Sequence, residues 1–159
     1  IQSGCCGYTY GAQGCWDNEW DGERGTHWGN LPWHKGIDLP GAIQLGHLRR
    51  LYERVGWWRL RPRNTLFTTT SGENAQFYPV EVTATDDLRT IVVYYGETHR
   101  NDGVEHLVGL ADTLFRLQWF DPREGVWITD DVVEAEGGRL HLPSQPDPVQ
   151  DWILVATAE

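Results

Sequence analysis

Thr113-Leu114-Phe115-Arg116-Leu117-Gln118-Trp119-Phe120-Asp121-Pro122-Arg123-Glu124-Gly125-Val126-Trp127-Ile128 is the stretch on which the fold turns. Successive side chains of a strand point to opposite faces, so Phe115, Leu117 and Trp119 share one face. Arg116 and Gln118 share the other, with Leu114 and Phe120 at its ends. Asp121 to Gly125 is rich in turn-forming residues and should return the chain into Val126-Trp127-Ile128 as a hairpin.

Outward from this hairpin, short runs of strand character recur at regular spacing. They cover 66–70, 77–85, 90–95, 114–120, 126–129, 139–142 and 152–157. Asp86-Asp87 and Gly137-Gly138 mark two of the turns, and 143–148 is a short proline-rich connector. Seven such strands predict an antiparallel β-sandwich, so the chain as a whole is mainly β.

Before residue 66 the pattern differs. Residues 1–6 read as the end of a helix or a buried turn of small residues. Gly7-Tyr8-Thr9-Tyr10-Gly11 reads as a short strand bounded by glycines. Residues 11–37 form a long polar loop, a length that is uncommon without a functional reason. A helix follows, with Asp38 as its N-cap and Pro40 in its first turn. Leu45, Leu48, Leu51, Tyr52 and Val55 make one apolar face, and Arg49, Arg50, Glu53 and Arg54 fill the other side. Arg50 and Arg54 suit the negative end of the helix dipole, and Gly56 terminates the helix. Trp57 and Trp58, just beyond it, read as packing residues.

The 159 residues make one ordinary domain, or a small domain plus part of another. With 40% apolar and 23% charged residues the chain is not disordered as a whole. No apolar run approaches the roughly 20 residues of a membrane helix, and no signal peptide opens the sequence. The absence of methionine leads to the expectation of a processed, truncated or fragmentary chain. The net charge of −10 divides unevenly: residues 1–65 carry eight Lys/Arg against six Asp/Glu, and residues 66–159 carry five against seventeen. That step suggests two structural units, and the acidic second part should repel nucleic acid. Six of the nine tryptophans fall before residue 60. Such rings serve sugar clefts and ordinary cores alike.

Cys5, Cys6 and Cys15 read as small buried thiols. Neighbours such as Cys5 and Cys6 bridge each other only under strain. A bridge from Cys15 to either has no support in the spacing, and without a CxxC pair no zinc site is expected. A catalytic cysteine would need a base beside it, and nothing places His27, His34 or His47 there. His47 reads as structural, and His99, His106 and His141 lie at no metal-ligand spacing. Asp17, Glu19, Asp21 and Gly22 imitate the start of a calcium loop, but its twelfth position is Trp28 rather than Glu. A solvated acidic loop accounts for them better. Loop carboxylates also lack the rigid placement that an acid–base pair requires. No metal or other cofactor is expected.

The run Ser3-Gly4-Cys5-Cys6-Gly7-Tyr8-Thr9-Tyr10-Gly11-Ala12-Gln13-Gly14-Cys15-Trp16 resembles a segment of bacterial apiosidase-like glycoside hydrolases. Asp38-Leu39-Pro40-Gly41-Ala42, Gln44, Gly46-His47-Leu48-Arg49 and Trp57-Trp58-Arg59-Leu60 resemble the helix that follows in that family. Trp119-Phe120-Asp121-Pro122-Arg123, Gly125 and Asp151-Trp152-Ile153-Leu154-Val155 resemble its C-terminal sandwich, which carries a collagen-binding label.

The resemblance implies that residues 1–63 are the final β/α unit of a (β/α)8 barrel and residues 64–159 the sandwich. A whole barrel takes about 250 residues and does not fit here. The resemblance further implies a retaining glycosidase, secreted or periplasmic, whose two carboxylates lie on earlier strands. No position here matches them, so no catalytic residue is assigned and the chain alone should not hydrolyse. The ligand would be a polysaccharide or oligosaccharide, and the partner the remainder of the barrel or another chain. The alternative is a non-catalytic carbohydrate- or collagen-binding sandwich.

Barrel sites lie at the C-terminal ends of strands, so the loop after Tyr10 should face the sugar. Tyr10 and Trp16 are the first candidates for substrate contact, followed by Trp20, His27 and Trp28. One further expectation concerns the helix. Unless its apolar face packs on the sandwich, it calls for a partner chain, self-association or a covering loop.

Overall fold

The computed structural model describes residues 2–12, 15, 31–70, 80–97, 99 and 103–159. Among them lie two α-helices, α1 (Trp33–Gly36) and α2 (Pro40–Val55), and two 3₁₀ turns, Trp57–Arg59 and Asn64–Leu66. The strands are β1 (Arg61–Pro62), β2 (Phe67–Thr69), β3 (Val80–Ala84), β4 (Thr90–Tyr95) and β5 (Glu105–Val108). They continue as β6 (Leu114–Asp121), β7 (Val126–Trp127), β8 (Asp131–Glu134), β9 (Arg139–His141) and β10 (Trp152–Ala158). No described helix is long and apolar enough to cross a membrane.

The large antiparallel sheet runs β1-β3-β4-β10-β6, and its last edge is shared. There β7 pairs with Phe120 and Asp121, and β8 with Leu114 to Leu117. A smaller antiparallel sheet runs β2-β5-β9. The two enclose one core, to which Val82, Ile91, Val93, Tyr95, Phe115, Leu117, Trp119 and Leu154 contribute from the large sheet and Leu107 and Leu140 from the small one. This is the β-sandwich read from the sequence, preceded by a helical unit.

Both faces of the large sheet are buried at its centre, which explains why β4 and β10 are apolar at nearly every position rather than alternating. Ile91, Val93, Tyr95, Trp152, Leu154 and Ala156 face the sandwich core. Val92, Ile153, Val155 and Phe120 face the opposite way, onto α2. Leu51 and Tyr52 of α2 are buried against them, with Leu48 and Val55 flanking. The sheet therefore covers the helix face that the sequence leaves exposed, and neither a partner chain nor self-association is needed for that purpose. The charge step at residue 65 does not separate two detached bodies.

Several local readings change. The α2 N-cap is Leu39, without a side-chain bond, because Pro40 occupies the first helical position and tolerates an unbonded start. Gly56 ends the helix as expected, at φ 72°. Residues 7–11 form no strand, since no described strand lies alongside to complete a ladder. Instead the segment crosses α2, with the Tyr8 hydroxyl donating to Leu45 O (2.8 Å) and the Tyr10 hydroxyl to Gly36 O (3.0 Å). The turn at residues 2–4 is largely exposed, and Cys5 and Cys6 are exposed while Cys15 is half-buried. The thiols are not core residues because the segment lies on the surface. Part of the expected 11–37 loop is helical, as α1.

Candidate functional site at the helix–sheet seam

The N-terminal segment reaches the sheet through Gln2. Its amide nitrogen donates to Glu81 O (3.1 Å) and Val92 O (3.3 Å), and its oxygen accepts from Thr83 Oγ1 (2.6 Å). Between this tether, α2 and the outer face of the sheet lies a cavity of about 370 Å³. Tyr8, Tyr52, Tyr94, Glu81, Asp151 and Cys5 contribute to its wall, and no basic residue does among the described residues. A neighbouring hollow of about 260 Å³ shares Leu48, Pro122 and Asp151 with it and adds Tyr10, Gln44 and Arg123.

Burial pushes the Tyr94 hydroxyl up to about 12, helped by the charge of Asp151 and a hydrogen bond to it. Burial, and then the neighbouring Tyr94, raise the Tyr52 hydroxyl further. Both phenols stay protonated around neutrality, so they act as donors rather than nucleophiles. The seam thus presents apolar rings, hydroxyl donors and carboxylate acceptors, which suits reversible binding of a polyhydroxylated molecule. No group of three potential metal ligands is found among the described residues.

Tyr10 sits at the mouth of the smaller hollow, half-buried, with its hydroxyl committed to Gly36 and its ring edge against Gly41. Trp16, Trp20, His27 and Trp28 lie outside the described residues, as do Asp17, Glu19 and Asp21. His47 packs under the Asp121–Gly125 turn, in keeping with a structural role. His99 is buried and bonds Glu105 Oε1 through Nε2 at 2.6 Å. The ring centroids of His106 and His141 lie 5.3 Å apart with the planes tilted by 44°.

Trp57 is half-buried in the helix cluster, as a packing residue should be. Trp58 is not: it is 59% exposed. Two consecutive residues in a 3₁₀ turn point in different directions, and the adjacency of two tryptophans hides this in the sequence.

Residues 62–157, well over half of the chain, match the family described as "Putative collagen-binding domain of a collagenase". The chain belongs to that family. Residues 1–59 match a second family, described as "Apiosidase-like, catalytic domain". The two ranges meet where the 3₁₀ turn at Trp57–Arg59 gives way to β1.

No curated protein matches the chain. Among solved structures, a glycoside hydrolase family 5 protein from Bacteroides vulgatus superimposes with a TM-score of 0.73 at 14% identity. That match covers 99% of this chain and 33% of the other. A second structure, described as a glycoside hydrolase, gives 0.57 at 14% identity, over 86% of this chain and 30% of that one. At such identity the likeness shows the fold alone. The chain spans about a third of the length of either neighbour.

Proposed function

We propose that the chain is the C-terminal portion of a glycoside hydrolase acting on plant or microbial polysaccharide. Residues 1–63 then supply the final β/α unit and its substrate-facing loop. Residues 64–159 supply an accessory sandwich that braces the final helix. The two catalytic carboxylates of a retaining mechanism, one protonating the leaving oxygen and one attacking the anomeric carbon about 5 Å away, lie outside residues 1–159.

One observation carries this reading. The helix of the range matching an apiosidase-like catalytic domain buries Leu51 and Tyr52 on a sheet of the range matching the collagen-binding domain. The two matches are therefore parts of one packed body rather than modules on a flexible linker. A polymeric substrate calls for a protein outside the cytoplasm, so the proposed location is secreted or periplasmic.

In this reading Tyr10 and Trp16 contact sugar, with Trp20, His27 and Trp28 nearby. Retardation in native gels containing soluble polysaccharide tests the loop. Trp16→Ala is expected to weaken it about tenfold, the loss of one good stacking contact. Unchanged retardation would remove the loop from the site.

The family description favours a second reading, a non-catalytic carbohydrate- or collagen-binding module. The −12 charge of residues 66–159 suits basic stretches of a collagen partner. Salt-sensitive retention on immobilised collagen, with no retention on polysaccharide, would select it.

A further inference from the structure

Trp58 stands two residues after the αL residue Gly56, and its indole lies back over that glycine. A β-carbon at Gly56 would be 3.7 Å from Trp58 Cζ2. Trp57 meets it edge-on, with centroids 6.3 Å apart and planes at 83°. The ring is thus held in place while more than half of the residue stays open to solvent. Beside it lies a hollow of about 350 Å³, lined by Arg59, Arg61, Thr85, Asp86 and Asp87. This is within the usual size of small-molecule sites, about 300–1,000 Å³.

The polar rim of this hollow is organised. Arg61 Nη1 donates to Trp58 O (3.0 Å) and Leu60 O (2.8 Å). The Asp87 carboxylate accepts from Thr85 Oγ1 (2.6 Å) and Arg89 N (3.1 Å), and lies 3.6 Å from Arg59. Arg63 donates to Asp86 Oδ1 at 3.1 Å. Two guanidinium groups and two carboxylates line the hollow together, and Arg63 brings a third guanidinium to Asp86. A molecule with vicinal hydroxyls finds a use for both kinds of group, because guanidinium donates and carboxylate accepts. A flat apolar ring beside such a rim matches the two sides of a pyranose or furanose, one carrying C–H groups and the other hydroxyls.

We propose that Trp58, Arg59, Arg61, Asp86 and Asp87 form a surface site for a neutral saccharide, distinct from the loop after Tyr10. The sugar stacks on the indole and its hydroxyls bridge the Arg and Asp side chains. The site spans the junction of the two matched ranges: Trp58 and Arg59 come from one, Asp86 and Asp87 from the other, and Arg61 lies between them. It needs no catalytic carboxylate, and it holds a glycan chain against the body rather than cleaving it.

The test is affinity electrophoresis of the 159-residue chain in gels containing xylan, glucomannan or hydroxyethylcellulose, with polygalacturonate as the anionic comparison. At least one neutral polymer is expected to retard the chain. Trp58→Ala should weaken that retardation about tenfold, Asp87→Asn several-fold, and Trp58→Tyr least, because it keeps a ring. The thermal midpoint of Trp58→Ala should match the parent, since an exposed ring adds little to the core. Four results would overturn the site: no neutral polymer retards the chain, retardation survives Trp58→Ala, only polygalacturonate retards it, or Trp58→Ala unfolds the chain. Loss on Trp16→Ala with Trp58→Ala unaffected would overturn this site while leaving the proposed loop, and the hydrolase reading with it, standing.

Discussion

A β-carbon on Gly125 would stand 2.6 Å from Cγ of the His47 ring. The hairpin turn between β6 and β7 is therefore seated directly on α2, and no larger residue fits the contact. Gly125 also adopts φ 70°, which a side chain resists. Gly125→Ala should lower unfolding free energy by at least about 2 kcal/mol, from backbone strain and overlap together. Adding His47→Ala should restore about 1 kcal/mol of it, as contacting residues couple. Denaturant titration of the two single variants and the double variant measures the coupling, and strict additivity would contradict the contact.

The covering of the large sheet by α2 sets a second expectation. Leu51 is 2% exposed whereas Ile43, two turns earlier, is 55% exposed. Leu51→Ala should cost about 2–4 kcal/mol and Ile43→Ala less than about 0.5 kcal/mol. A similar midpoint in urea for both variants would mean that the helix does not pack on the sheet in solution.

Asp121 sets the pH dependence of the same turn. Burial acts to raise its carboxyl. Hydrogen bonds and charge from Arg123, with the amides of Arg123 and Glu124, outweigh this and hold it below the ordinary 3.8. In the unfolded chain the group takes up its proton near 3.8, while in the folded chain it does so only at lower pH. Its contribution is therefore complete above that pH and is lost as pH falls through the folded value. Unfolding midpoints followed from pH 6 to pH 2.5 should fall less steeply below about pH 4 in Asp121→Asn than in the parent. Parallel curves would contradict the assignment.

A buried polar pair sits in the sandwich core. Glu105 is 1% exposed and His99 5%. Glu105 Oε1 lies 2.6 Å from His99 Nε2, and the buried Tyr95 hydroxyl is raised first by burial and then by Glu105. Glu105→Ala removes the carboxylate from beside the imidazole and should cost about 3–5 kcal/mol, with Glu105→Gln milder because it keeps an acceptor. Equal losses for the two variants, read from thermal or urea unfolding, would show that cavity formation rather than the hydrogen bond sets the cost.

The elements that could be read from the sequence were those whose burial leaves a periodic trace. Phe115, Leu117 and Trp119 alternate because only one side of that part of β6 meets the sandwich core. Thr90 to Tyr95 is apolar at nearly every position because both sides of β4 are covered. The strand β5 escaped notice because Glu105 places a carboxylate where the pattern demands an apolar residue. Its satisfaction by His99 is a tertiary fact. β8 faces solvent along most of its length and carries no apolar signal. β1 consists of Arg61 and Pro62 at a sheet edge, where proline is tolerated but reads as a break. Tyr10 could be found by its place ahead of a long loop. Trp58 could not, because its exposure depends on how a 3₁₀ turn sends neighbouring side chains apart.

The central claim is that these residues serve a glycoside hydrolase without containing its acids. Its most direct test compares the polypeptide encoded by the complete natural reading frame with the 159-residue chain on a panel of aryl glycosides. The account predicts turnover by the former and none above background by the latter. Cleavage by the 159-residue chain, or silence from the complete polypeptide across the panel, would contradict it.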